Sequence, residues 1–276
     1  PPLAPSARPA YASRMARPEC PRCGGTGWRT VEDRSSSGRA RVAVRCDCSV
    51  ADRAAQALTR ARIPARYQHC DFENFDTDLY DGEPQAPAWN RSLEQTKLVV
   101  ESFARDYPGG TTAGLLLIGP CGAGKTHLVV AALKQLVHRG HSGLFYDYRE
   151  LLKHIQDSYN PVSQATELEV LEPVLEAELL VLDDLGSSKP SPWALETVGH
   201  ILNTRYNKSR ITLVTTNYLD TPPSTSEPAR LPSRQAVPRE DTLTDRVGQR
   251  IRSRLYEMCR TVELVAPDYR KEVRQA

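Results

Sequence analysis

Residues 114–130 read GLLLIGPCGAGKTHLVV. The opening apolar run, 114–119, has no polar punctuation, the pattern of a short strand buried on both faces of a parallel sheet. Its last glycine begins Gly119-Pro120-Cys121-Gly122-Ala123-Gly124-Lys125-Thr126, a full match to G-x-x-x-x-G-K-[ST]. From 125 to 139 the apolar residues take helical spacing, and Gly140 ends the run. Strand, glycine-rich loop and helix in that order form a phosphate loop. Glycines let backbone N–H groups wrap an anion, and the helix adds its positive N-terminal dipole. In this reading 119–127 bind the nucleotide: Lys125 reaches the β- and γ-phosphates and Thr126 offers a hydroxyl to Mg2+. Cys121 is a small filler, and His127 follows the loop without an assigned role.

Outward from this loop, strand and helix patterns alternate. Residues 144–148, 178–186, 211–217 and 262–266 read as strands, the last at an edge. Residues 149–157, 192–207 and 241–259 read as helices. Alternation of this kind predicts a parallel sheet covered by helices, an α/β fold of the αβα type. The strand at 178–186 (ELLVLDDLG) ends in two acids. Asp183 is placed to hold Mg2+ through water, and Asp184 to polarise the attacking water. Asp184 is one methylene shorter than the Glu common at this position in hydrolytic NTPases. The alternative gives one metal-site Asp and one helix-capping Asp. The strand 211–217 ends in Asn217, an amide able to orient that water or simply to cap a turn. In the last helix, Arg246, Arg250 and Arg254 recur every four residues and stripe one face. Such a stripe faces an anion, a DNA backbone or a neighbouring subunit's nucleotide, as an arginine finger does.

The N-terminal part has another chemistry. Cys20-Pro-Arg-Cys23 and Cys46-Asp-Cys48 supply four thiols, enough for a closed tetrahedral Zn2+ site. An iron–sulfur cluster and free thiols are the alternatives. Its arginines and Trp28 suit nucleic acid, a protein partner is open too, and the protein partner is the favoured reading. Residues 1–14 are rich in Pro, Ala, Arg and Ser and are expected to form a disordered tail. The expected organisation is this tail, a zinc module at 15–50, a helical and irregular linker at 51–90, and an ATPase domain at 91–276. A Pro-rich insertion at 221–240 is expected to be mobile. Of 276 residues, 36 are basic and 34 acidic, but the charges are segregated. Residues 1–70 carry net +8, 71–227 net −10 and 228–276 net +4. Basic ends around an acidic middle point to an anionic partner. No apolar run is long enough to span a membrane and no secretory signal is present, so a cytoplasmic location is expected.

Taken in order, GPCGAGKTH, LLVLDDLG, W-x-x-E-x-x-x-x-I-L-N-x-R-Y (193–206), TTN and DRVGQRIRSRL resemble the DnaC/IstB group of AAA+ ATPases. The cysteine module followed by ARIPARYQHCDFENF (61–75) resembles the front end of DnaC-type helicase loaders. The resemblance implies an ASCE-type core with little or no C-terminal helical lid. It implies ATP, Mg2+ and Zn2+, and nucleotide-dependent homo-oligomers with nucleotide at subunit interfaces. It implies a replicative helicase of the DnaB type and single-stranded DNA as partners. Asn217 would match sensor 1, and Arg254 matches the finger better than Arg250. No sensor 2 arginine is assigned. The expected function is an ATPase, slow until stimulated by DNA or a partner, that loads or regulates a replicative helicase. The alternative is an IstB-like helper that serves a transposase on duplex DNA.

Overall fold

The computed structural model describes residues 19–33, 40–110, 113–160, 166–220 and 241–272. The expected tail at 1–14 and insertion at 221–240 lie outside the described residues. The chain divides into two units, residues 1–60 and 61–276.

In the first unit, strands β1 (Trp28–Asp33) and β2 (Ala40–Arg45) pair antiparallel, with Trp28 opposite Arg45. Helix α1 (Asp47–Arg60) follows directly. Two strands and one helix bury too little apolar surface to be stable unaided.

The second unit begins with a single 3₁₀ turn at Ala65–Tyr67 in an otherwise irregular stretch. Helix α2 (Ala86–Asp106) then leads to the sheet. Its elements are β3 (Gly114–Ile118), α3 (Lys125–His138), β4 (Gly143–Asp147), α4 (Tyr148–Ser158) and α5 (Glu167–Glu176). They continue with β5 (Leu179–Asp183), α6 (Pro192–Asn207), β6 (Ile211–Thr216), α7 (Leu243–Val247), α8 (Gln249–Met258), β7 (Cys259–Glu263) and α9 (Tyr269–Glu272). The five strands β3–β7 form one parallel sheet in the order β4-β5-β6-β3-β7. Strands β3, β5 and β6 are buried along their whole length, as continuous Leu/Ile/Val/Thr runs require. Leu115 and Leu117 of β3 and Leu128, Leu133 and Leu136 of α3 are all core residues, each 2% exposed or less, while Leu116 joins the cluster of Leu180, Leu182, Val198 and Val214. Fully burying such a side chain stabilises by about 1.5–3 kcal/mol.

Arg205, from the W-x-x-E-x-x-x-x-I-L-N-x-R-Y stretch, is completely buried and forms no ion pair at contact distance with a carboxylate among the described residues. Its guanidinium donates to Thr212 Oγ1 at 3.0 Å, to the carbonyls of Val174 and Ala177 at 2.8 and 2.9 Å, and to that of Ile211. Burial lowers its pKa to about 10, which leaves it cationic at neutral pH. The side chain ties the end of α5 to β6.

The single helix expected at 241–259 is instead two. Gly248, at φ 79° and ψ 155°, breaks it. That backbone region is essentially restricted to glycine. Arg246 therefore sits on α7, apart from Arg250 and Arg254 on α8, and the three do not form one continuous stripe. Cys259, expected to close the helix, opens the edge strand β7.

Candidate active site

Parallel order brings the C-terminal ends of β5, β6 and β3 side by side, where ligands of open α/β sheets bind. The loop after β3 turns into α3 through Gly124, whose φ is 99°. A Cβ there would stand 2.6 Å from Phe75 Cε2, so left-handed backbone and ring contact both demand glycine. Lys125 is 6% exposed. Its Nζ donates to the carbonyls of Gly119 and Pro120 at 2.8 and 2.7 Å and to Asn217 Oδ1 at 2.7 Å. Burial lowers its pKa to about 8.

Asp183 ends β5 and is 3% exposed. Its Oδ1 accepts from Thr126 Oγ1 at 2.8 Å and from Thr215 Oγ1 at 2.6 Å. Burial raises its pKa, against the pull of these two hydroxyls. Hydroxyl and carboxylate oxygens in contact are the donor set that Mg2+ takes. Asp184 adopts a left-handed backbone, φ 57°. Its N–H donates to Thr215 Oγ1 at 2.9 Å, and its Oδ1 accepts from Asn217 Nδ2 at 2.6 Å. Asn217 thus bridges Lys125 and Asp184.

These residues line a cavity of about 760 Å³. The other walls come from two segments that sequence reasoning did not assign to the site. One is the irregular stretch holding Arg66, Tyr67 and Phe75. It is pinned to α3 where His127 Nε2 meets the Asp71 carbonyl at 2.8 Å, with the Phe75 ring edge-on to His127 at 5.2 Å. Its signal was the density of aromatics at 67–80. The other is the C-terminal Tyr269 and Arg270. Tyr269 N–H donates to the Gly122 carbonyl at 3.2 Å, and Arg270 pairs with Asp268 at 3.0 Å. A Cβ on Gly122 would collide with the Asp268 carboxylate at 1.8 Å. No local pattern marked this segment, which follows the edge strand.

The finger candidates lie away from the cavity. Arg254 stacks on the Tyr206 ring, its guanidinium carbon 4.0 Å from the centroid, and bonds Asn203 Oδ1 at 3.1 Å and Glu257 at 2.9 Å. Arg250 is exposed and shows no hydrogen bond or ion pair with the described residues. Arg246 is engaged within its own chain, donating to the Gly186 and Ser188 carbonyls at 2.7 and 2.9 Å.

In the first unit the four predicted thiols converge. Their sulfurs all lie within 4.8 Å of one another, with Cys20 and Cys46 at 3.7 Å and Cys23 and Cys48 at 3.5 Å. The Arg22 backbone N–H is the main cause that lowers the Cys20 thiol to about 7. The Gly27 N–H donates to Cys23 Sγ at 3.3 Å. Four sulfurs converging with backbone N–H donors fit a tetrahedral metal.

The model of the IstB-like ATP binding protein family matches residues 47–225. The chain belongs to that family. It is a DnaC/IstB-like AAA+ ATPase by family and fold. The matched region of this IstB-like chain begins after Cys20, Cys23 and Cys46. It is 26% identical over 162 residues to the replicative helicase loader DnaC of Escherichia coli K12, which is 59% of this chain and 61% of that protein. The match thus spans about three fifths of the relative's length. An uncharacterised Bacillus subtilis protein, YqaM, is 24% identical over 63% of this chain and 54% of its own. The crystal structure of a DnaC helicase loader superposes with TM-score 0.54 at 27% identity, covering 72% of this chain and 99% of that one. DnaI superposes with TM-score 0.52 at 22% identity, covering 75% and 94%.

Proposed function

We propose that this protein binds and hydrolyses ATP to control the loading of a replicative, DnaB-type helicase on single-stranded DNA. The observation that carries the ATPase reading is the bridge from Lys125 through Asn217 to Asp184 beside the Thr126–Asp183 pair. These are the parts phosphoryl transfer needs: a cation for the phosphates, a metal site, and an acid with an amide beside it. Lys125 exchanges the Gly119 and Pro120 carbonyls for phosphate oxygens. Thr126 and Asp183 would hold Mg2+, whose charge would offset that of the phosphates. Asp184 accepts a proton from the attacking water, and Asn217 keeps that carboxylate aimed. Arg270 exchanges Asp268 for phosphate, and Arg250 or Arg254 completes a neighbouring subunit's site in a homo-oligomer. The four cysteines hold a structural Zn2+, and their module docks on the protein partner. Similarity to DnaC supports the loading role.

The family match also favours a second reading, a transposition helper acting on duplex DNA. ATP turnover measured alone, with single-stranded DNA and with duplex DNA separates them. Stimulation by single strands supports the loader, stimulation by duplex supports the transposition helper, and DNA-blind turnover contradicts both.

A further inference from the structure

Three ligating side chains without a part in the phosphate chemistry meet on the flank of α3. His127 stands in its first turn, and His69 and Cys70 come from the irregular stretch. One nitrogen of each ring and the Cys70 sulfur lie within 4.8 Å of one another. Cys70 Sγ is 3.9 Å from His69 Nε2, and the two imidazoles meet edge-on at 6.1 Å. The backbone carrying this pair is held independently of them. Lys134 Nζ donates to the Gln68 and Cys70 carbonyls at 2.8 and 2.9 Å and pairs with Asp71 at 2.6 Å. The ligands therefore converge without any loop closing over them. His127 donates its Nε2–H to the Asp71 carbonyl, which leaves the other ring nitrogen its lone pair. An imidazole oriented by a backbone carbonyl is the usual arrangement of a metal-bound histidine.

We propose that His69, Cys70 and His127 bind a second Zn2+, with the fourth position open to water. Two imidazoles and a thiolate select zinc over Mg2+, so this site is chemically distinct from the oxygen site of Thr126 and Asp183. On binding, the Cys70 S–H bond breaks, a sulfur–zinc bond forms and the proton leaves to solvent. Buried at 2% exposure, the Cys70 thiol is otherwise inert, its pKa raised by burial to about 11. The ion would tie the cavity wall carrying Arg66 and Phe75 to the helix that follows the phosphate loop.

The test is zinc content and affinity of the full chain, by metal analysis after dialysis and by competition with a chromophoric chelator. Wild type is expected to hold two zinc ions per chain. His69→Gln, at an exposed position, and the near-isosteric Cys70→Ser should each lose one. Failing full loss, each should weaken it beyond the roughly 10–100-fold that an outer partner costs. Cys46→Ser should lose the other ion and keep this one. If His69→Gln and Cys70→Ser retain the wild-type count and affinity, or if Cys46→Ser removes all zinc from wild type's single ion, the second site is refuted. A single ion lost with Cys70→Ser but kept with Cys46→Ser would sink the four-cysteine site and uphold this one.

Discussion

Asn217 Nδ2 donates to Asp184 Oδ1 at 2.6 Å, joining the end of β6 to the acid that follows β5. Within the proposed mechanism the amide aims the carboxylate. Asn217→Ala is expected to lower ATP turnover by about 10²-fold, the size of a lost acid–base contribution. ATP affinity should change only a few-fold. Asp184→Asn should do the same, and the double variant should be no worse than either, since the two act as one unit. Single-turnover hydrolysis checks this, and additive losses would contradict it.

Lys125 supplies a pH dependence. Burial disfavours its ammonium and places the pKa at about 8. Below that pH the free protein presents a cation to the phosphates, and above it the cation is progressively lost. ATP affinity should therefore be flat to about pH 8 and then fall, approaching tenfold per pH unit. Adenosine, which lacks phosphates, should show no such fall. Calorimetric titration of both ligands from pH 7 to 9.5 reads the difference.

Gly124 has φ 99°, and a Cβ there would stand 2.6 Å from the Phe75 ring. Gly124→Ala is expected to cost about 1–3 kcal/mol through backbone strain. At about 2–4 °C per kcal/mol, that is a readily measured fall in melting temperature. ATP binding should weaken as well, because the loop and the Phe75 wall move together.

For the finger, Arg250 and Arg254 differ in what they already touch. Arg254 is held on Tyr206, Asn203 and Glu257, whereas Arg250 projects from α8 without such contacts. Loss of a trans finger should reduce turnover by about 10³–10⁵-fold. Mixing the finger variant with Lys125→Ala should restore activity that neither shows alone. The alanine variant of Arg250 or of Arg254 that complements in this assay identifies the finger. Failure of both removes the shared-site reading.

If the four cysteines hold the proposed zinc, chelation or Cys46→Ser should melt the β1–β2 hairpin, because the small module has no core to fall back on. Collapse of its amide resonances in an NMR spectrum is the expected result. A hairpin that keeps its dispersion without metal would overturn the structural role.

Much of this was legible from residues alone, for a physical reason. A strand that ends in GPCGAGKT, a strand that ends in DD and a strand that ends in TTN each announce themselves locally, by an apolar run stopped by polar groups. The parallel sheet then has to gather them. The break at Gly248 was not legible, because an isolated glycine in a helical pattern is usually tolerated. Helix α1 begins at Asp47, inside the stretch expected to belong to the zinc module. That Arg270, Arg66 and Phe75 would line the site was not legible, for a different reason, although the aromatics at 67–80 marked the stretch of the latter two. They reach the cavity through long-range packing: Asp268 lies against Gly122 and Asp71 against His127. No short-range pattern records such meetings.

Asp184 sits where few residues sit at ease, with a left-handed backbone that aspartate and asparagine tolerate better than longer side chains. Glutamate there would be more than aspartate with added reach. It would bring its own conformational penalty, and it would push the carboxylate past the Asn217 amide that now meets it. Acid length and main-chain handedness are thus a matched set at this position. Lineages that exchange one acid for the other would have to re-form the turn after β5 in the same step.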